Sequence, residues 1–294
     1  KALSIGHGAL GSPLRSERAA TVPADHGTTL PAPSCTSSGL RPLEPLLASI
    51  DLIDAAYLIA LGEAGGVVPR WQDVPAAARI NAASVWRLRC YNVVFPPILV
   101  LSYPWLDRHH PDKHGATLRR ILPILCACRE AALREGVHCT FGVFWDYMSL
   151  PQGADRSEAE CARFKPGLAT MAACYVHPYT YVLSVRTPIP DGDYENTRPY
   201  EKRGWCHFEL RTASMVKDSL CLWDLSLHKE GTAITFYKCR NTLQSTRPPL
   251  TSPEQMAREL REKKFTNDAD IDVVASLYEQ GFVRAFDTFR QYST

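Results

Sequence analysis

Short apolar runs alternate with segments of helical periodicity through the middle of the chain. Continuous apolar runs typical of strands buried on both faces occur at four places: 98–102, 141–146, 180–185 and 219–223. Apolar residues at helical spacing separate them, as in a helix containing Leu118, Ile121 and Leu125 and another over roughly 164–173. Because strands that alternate with helices form parallel sheets, the pattern predicts an α/β domain with helices on both faces of one parallel sheet.

The segment before this domain is predicted to contain a tail and two helices. Residues 1–43 hold clusters of Gly, Ser, Pro and Thr with no apolar period, so we expect a tail that is either flexible or bound to a partner. Apolar residues recur at helical spacing over 46–61, and a proline suited to a first helical turn begins a second helix over 75–88. Residues 44–96 are therefore predicted to be a helical extension.

Residues 226–294 are predicted to be a second helical extension. Ser252 provides an N-cap, Pro253 a first-turn residue and Gln255 a capping-box partner, so one helix starts there. Another helix begins near Asn267. We expect these helices to cover an edge of the sheet or to bind a protein partner.

Composition limits the kind of protein and the compartment. A net charge of only +2 over 294 residues argues against a broad nucleic-acid-binding face. No apolar run approaches the ~20 residues of a membrane span. Ten cysteines without regular spacing, several in apolar runs, favour a reducing intracellular compartment. We expect the cytoplasm, and the acid-poor composition of residues 1–43 leaves an organelle as the alternative.

One carboxylate stands out because it lies inside an aromatic and apolar stretch. Glu209 follows Trp205 and precedes Thr212 at helical spacing, which predicts that it lies in the first turns of a helix. It is either a surface residue near a helix N-terminus, where the macrodipole favours negative charge, or a residue that faces a cleft and does chemistry. A structural role would pair it with Arg203 or Arg211.

Three motifs in order resemble those of a known family. Trp-Cys-x-x-Glu-Leu at 205–210 resembles the motif of Toll/interleukin-1 receptor (TIR) domains. Leu-Ser-Tyr-x-Trp at 101–105 and Phe-Trp-Asp-Tyr at 144–147 resemble the ends of the first two strands, in particular in the heterokaryon-incompatibility (HET) branch. The resemblance covers about 97–225. One departure is that Lys-Arg-Gly at 202–204 stands where many TIR domains have a serine.

This resemblance implies a flavodoxin-like fold and a candidate active site. In the NAD-cleaving members of the family, the matching glutamate is catalytic, which makes Glu209 the candidate catalytic residue and NAD the candidate substrate. The candidate cofactor-binding residues are Tyr103, Trp105, Asp146 and Trp205.

Position along the strands predicts that these residues meet. Ligands bind beyond the carboxyl ends of parallel strands, where Tyr103, Trp105, Asp146 and Glu209 would gather. A carboxylate there could stabilise the oxocarbenium-like state of a breaking glycosidic bond, while an aromatic ring stacks on nicotinamide or adenine. The alternatives are a core or lid aromatic for Trp105 and a loop cap for Asp146.

A cluster of histidines and aspartates invites a metal interpretation. His109, His110 and His114 lie near Asp107 and Asp112. The run is a loop with Pro and Gly, without helical spacing or a nearby cysteine, so we expect a polar loop and no metal.

Two functions of different classes follow. We predict a TIR-like interaction or assembly module within a larger complex or signalling system, bound to protein partners through residues 1–43 and the C-terminal helices, or to copies of itself. The alternative is an NAD-cleaving glycohydrolase that uses Glu209. The fold alone does not decide between them.

Overall fold

The computed structural model describes residues 48–80, 98–134, 141–177 and 180–292. Its strands are β1 Leu52–Asp54, β2 Arg79–Ile80, β3 Ile98–Ser102, β4 Gly142–Phe144, β5 Thr180–Ser184 and β6 Leu222–Asp224. Its helices are α1 Ala55–Glu63, α2 Ala116–Arg134, α3 Asp146–Ser149, α4 Glu158–Val176, α5 Gly204–Ser214, α6 Phe236–Thr242, α7 Pro253–Arg261 and α8 Asp270–Tyr292. The expected tail, residues 1–43, lies outside the described residues.

The strands form one mixed sheet with the order β2-β1-β4-β3-β5-β6. β3 pairs in parallel with both β4 and β5, and β5 pairs in parallel with β6. The prediction that these four strands lie parallel in one sheet is confirmed, and the protein is an α/β protein.

Side chains alternate between the two faces of the sheet, and helices bury both faces. Leu99 and Leu101 of β3 pack with α1, α2 and α6 in one core. Ile98 and Val100 pack with α4 and α5 in the other. All four side chains are almost fully buried, which explains why β3 reads as a continuous apolar run.

The prediction of two helices over 46–61 and 75–88 is wrong in part. β1 lies antiparallel to β4 and β2 lies antiparallel to β1, so this segment extends the sheet. α1 begins only at Ala55 because the Asp54 side chain caps it, accepting a hydrogen bond from the Ala56 N–H at 2.6 Å. Pro75 precedes only a short 3₁₀ turn, and residues 81–97 lie outside the described ranges.

The C-terminal helices form a third layer. α7 starts as predicted, with the Ser252 side chain accepting a hydrogen bond from the Gln255 N–H at 3.2 Å. α7 and α8 bury Met256, Val274 and Tyr278 against Phe208 of α5. They therefore cover helices of the α/β domain. The prediction that they cover an edge of the sheet is wrong. In the part of the chain that the structure describes, no helix is long and apolar enough to cross a membrane.

A buried lysine joins α4 to β5. The Lys217 ammonium is 2% exposed and donates hydrogen bonds to the carbonyl oxygens of His177 and Thr180, both at 2.5 Å, and to the Thr180 hydroxyl at 2.7 Å. Burial lowers the pKa of Lys217 to about 7, while three oxygen acceptors favour the protonated form. Lys217 thus satisfies carbonyls at a helix end that water does not reach.

We expect Lys217→Met to lower the free energy of unfolding by about 1–3 kcal/mol, because the buried Thr180 carbonyl and the helix-end His177 carbonyl lose a charged donor, although the His177 carbonyl keeps the Thr180 N–H and hydroxyl. Urea denaturation at pH 7 measures this loss. Lys238→Met, at an exposed position on α6, is the matched control and should change stability by less than about 0.5 kcal/mol. Equal midpoints for the two variants would contradict the structural role of Lys217.

Candidate functional site

A cavity of about 260 Å³ lies at the carboxyl ends of β3 and β4. All five candidate residues line it: Tyr103, Trp105, Asp146, Trp205 and Glu209. Tyr103, Trp105 and Asp146 meet because β3 and β4 are parallel neighbours, so the residues that follow them emerge at the same edge of the sheet. Trp205 and Glu209 lie on α5, which follows β5, the parallel neighbour of β3 on its other side. The gathering is as the sequence predicted; the role of each residue remains a prediction.

Glu209 forms part of the cavity wall and is buried. It lies on α5 with 6% of its surface exposed, so the interpretation as a surface residue is wrong. Its Oε2 accepts a hydrogen bond of 2.5 Å from the hydroxyl of Ser102, the last residue of β3. The Ser102 hydroxyl is also 2.6 Å from the Tyr200 hydroxyl.

Neither predicted ion-pair partner reaches Glu209. The Arg203 guanidinium donates to backbone carbonyls, and Arg211 pairs with Glu259 at 3.0 Å. Within the described ranges, no basic side chain forms an ion pair with Glu209.

This setting shifts the proton equilibrium of Glu209. Burial and, to a lesser extent, the charge of Asp146 raise its pKa, hydrogen bonds from Ser102 and Tyr175 lower it, and the net pKa is about 8. The isolated protein therefore holds Glu209 mostly protonated at neutral pH. Perturbed carboxyl groups in a cleft are common at functional sites, although structural networks also produce them.

Asp146 organises the aromatic part of the wall. One oxygen accepts hydrogen bonds from the Tyr103 hydroxyl at 2.6 Å and the Tyr147 N–H at 2.7 Å; the other accepts from the Trp105 indole N–H at 2.9 Å. Burial raises the pKa of Asp146, and the hydrogen bonds lower it. Asp146 thus caps the loop through the Tyr147 N–H, which was one of the two predicted roles. It also holds two aromatic rings of the cavity in place, those of Tyr103 and Trp105.

The segment after α7 supplies another part of the wall. Asp270 accepts a hydrogen bond of 2.9 Å from the Trp205 indole N–H. The Gly204 N–H donates to the Lys264 carbonyl at 3.0 Å, and a Cβ at Gly204 would lie 2.0 Å from the Phe265 ring. The first residue of α5 is a glycine because the Phe265 ring occupies the space of a side chain.

Arg203 ties the loops of the site together. It is 7% exposed, and its guanidinium donates to the carbonyls of Trp105, Asn196 at 2.9 Å and Arg198 at 2.9 Å. Burial lowers the pKa of Arg203, yet an arginine remains charged. Arg203 is therefore a buried cation that connects two loops to the start of α5.

The histidine and aspartate cluster has structural roles. Asp112 accepts the Thr117 and Leu118 N–H groups at 3.0 Å each, which caps α2. His110 lies 3.0 Å from the Val68 carbonyl and accepts the Asp112 N–H at 3.0 Å. Among the residues that the structure describes, no group of three or more His, Cys, Asp or Glu is arranged to hold a metal ion.

The sequence predicted no role for Ser102 or Tyr200, and it predicted Arg203 only as a possible ion-pair partner of Glu209. Ser102 lies inside the motif that carried the resemblance, so its position at a strand end was a usable signal. Tyr200 and the Lys264–Asp270 wall had no such signal, because their contacts join segments far apart in the chain.

No family model matches the chain, and neither a curated protein nor a solved structure matches it significantly. The fold and the site define a class: an α/β protein with a carboxylate- and aromatic-lined cavity at the carboxyl edge of its sheet.

Proposed function

We propose that this protein is an NAD glycohydrolase of the TIR-like type, with Glu209 as its catalytic carboxylate. The observation that carries the proposal is a buried carboxyl group without an ion-pair partner in the described structure, set in the wall of a cavity that two tryptophans also line. A carboxyl group kept from solvent in an aromatic cleft suits the stabilisation of a developing positive charge.

The chemistry follows from the charge of the substrate. Nicotinamide in NAD is a cationic leaving group, so it departs neutral when the bond from ribose C1′ to the ring nitrogen breaks and the electron pair goes to nitrogen. Positive charge moves to the ribose, where the Glu209 carboxylate stabilises it. Water then bonds to C1′ and releases a proton to Glu209 or to solvent.

The raised pKa of Glu209 is compatible with this mechanism, in which the carboxylate must form once the cationic ring is bound. The cationic ring entering the cavity favours the carboxylate over the protonated form, since an opposite charge lowers a carboxyl pKa. Trp105 and Trp205 offer faces for the nicotinamide and adenine rings, and Asp146 holds Trp105 in place.

The topology also supports the proposal. Counted along the chain, the parallel strands β4-β3-β5-β6 have the order 2-1-3-4, which begins the flavodoxin-like order. In such sheets ligands bind beyond the strand ends at the point where the order reverses, and Ser102 ends the strand at that point.

The test is nicotinamide release from NAD by the purified full chain, followed by chromatography, at low and high protein concentration. We expect release that requires the protein and yields ADP-ribose in equal amount. Protein that releases no nicotinamide at any concentration would refute the proposal.

That negative result would leave the assembly module as the second candidate. Its specific support is on α8, where the apolar side chains Val273, Val283 and Phe286 are 44%, 52% and 40% exposed while Val274 and Tyr278 are buried.

A further inference from the structure

Three cationic side chains lie at the mouth of the cavity. Arg108, Arg198 and Lys264 all line it and are exposed to solvent. No carboxylate lies within ion-pair distance of any of them in the described parts of the chain. Their charges are therefore available to a ligand.

The backbones that carry these cations are held in place. The Asn196 N–H donates to the Leu106 carbonyl at 2.9 Å, which joins the loops of Arg198 and Arg108. The Lys264 N–H donates to the Lys202 carbonyl at 2.9 Å, which fixes Lys264 beside α5. Three separate chain segments thus bring positive charge to one opening.

The carboxylates nearby already have partners. Asp107 accepts from Lys113 at 3.2 Å and from the Glu195 N–H at 3.0 Å. Glu195 accepts the Arg108 backbone N–H at 3.2 Å, and Asp270 binds Trp205. Arg203 is a further cation of the lining, so four cationic side chains line the cavity together with three carboxyl groups, those of Asp146, Glu209 and Asp270.

We propose that Arg108, Arg198 and Lys264 form a subsite for the diphosphate of a nucleotide ligand. The proposal that this diphosphate belongs to the cleaved substrate rests on the proposed function; the binding itself does not. Arg108 and Arg198 also line an adjoining cleft of about 380 Å³, which gives the phosphates room outside the aromatic cavity. Two carboxylates line the same cleft, Glu195 and Asp107, and Asp107 is paired with Lys113. None of the three cations belongs to the motifs that resemble TIR domains, and Lys264 lies beyond that region.

The chemistry of the three side chains favours phosphate. Two guanidinium groups match phosphate oxygens with paired donors, and an ammonium adds a point charge. Tryptophans deeper in the cavity suit a base, so base and phosphates would be recognised at different depths of one cleft.

The experiment compares ADP, adenosine and pyrophosphate by calorimetric titration of the full chain at low salt. We expect ADP to bind at least about tenfold more tightly than adenosine and pyrophosphate to compete with ADP. Added salt should weaken the binding of ADP and pyrophosphate and leave that of adenosine unchanged. The variant R108A/R198A/K264A should lose at least about tenfold in ADP affinity and keep its adenosine affinity.

The matched control is R129A/R261A/K229A, which removes the same residue types from exposed positions that do not line the cavity. Equal affinities for ADP and adenosine, no competition by pyrophosphate, or equal ADP affinity in the two triple variants would each overturn the subsite. ADP binding that depends on the three cations, in a protein that releases no nicotinamide, would support the subsite while refuting the glycohydrolase. If R108A/R198A/K264A cleaves NAD with an unchanged KM, the glycohydrolase is supported and the diphosphate subsite is refuted.

Discussion

Nicotinamide release from NAD is expected to fall at least about a hundredfold when Glu209 is replaced by glutamine. Glutamine keeps the shape of the side chain and an oxygen that accepts from Ser102, but it removes the negative charge that meets the positive ribose. Loss of one preorganised electrostatic contact of this kind costs about 3 kcal/mol or more in the transition state. The rate is measured at saturating NAD and pH 8, where the wild-type carboxylate is well populated.

Glu262→Gln is the matched control, because Glu262 is an exposed carboxylate near the wall of the cavity and does not line it. It should retain the wild-type rate. Binding of ADP to Glu209→Gln should be unchanged, which would show that the variant is folded and its cavity intact. Undiminished turnover in Glu209→Gln would remove Glu209 from the catalytic role and leave the cavity with a different reacting group.

The parts of this site that could be predicted are those fixed by short stretches of sequence. Continuous apolar runs identify β3 to β6, and parallel strands deliver the residues after them to one edge. Strand direction alone therefore predicts that Tyr103, Trp105, Asp146 and Glu209 lie together. Once the direction of a strand is known, a residue that follows it must lie near one known edge of the sheet.

The parts that could not be predicted depend on contacts between distant segments. β1 and the start of α1 share one apolar run, and only the pairing of β1 with β4 separates strand from helix. The hydrogen bond from Ser102 to Glu209 joins β3 to α5, and the wall from Lys264 to Asp270 comes from a segment predicted only to cover an edge or bind a partner. Periodicity gives no information on such pairs, because it describes each element alone.

The environment of Glu209 also predicts how cleavage depends on pH. If the carboxylate is the reactive form, kcat/KM follows its fraction in the free protein and should fall about tenfold per pH unit below about 8. At pH 6 the wild-type value should thus be about a hundredfold below its alkaline plateau. The residual activity of Glu209→Gln should lack this dependence, and a wild-type profile that is flat from pH 6 to 8 would contradict the assignment.

The same pKa has the opposite consequence for stability. Folding raises the pKa of Glu209 from 4.5 to about 8, so its contribution to stability is fully present below pH 4.5 and is lost as pH rises toward 8. At about 1.4 kcal/mol per pKa unit, the complete loss is about 5 kcal/mol. Glu209→Gln carries no such group, so its stability relative to wild type should rise by about 3–4 kcal/mol between pH 5 and pH 8, the part of the titration that falls in this range.

Urea denaturation of both proteins at several pH values measures this difference. Lys217 acts in the other direction, since its lowered pKa of about 7 makes stability rise with pH above 7, but it is present in both proteins and cancels in the comparison. If the difference in unfolding free energy between the two proteins stays constant from pH 5 to 8, folding does not raise the pKa of Glu209. A difference that grows with pH would mean that the protein gives up stability, at the pH where it is most active, to keep a carboxylate in a buried cleft.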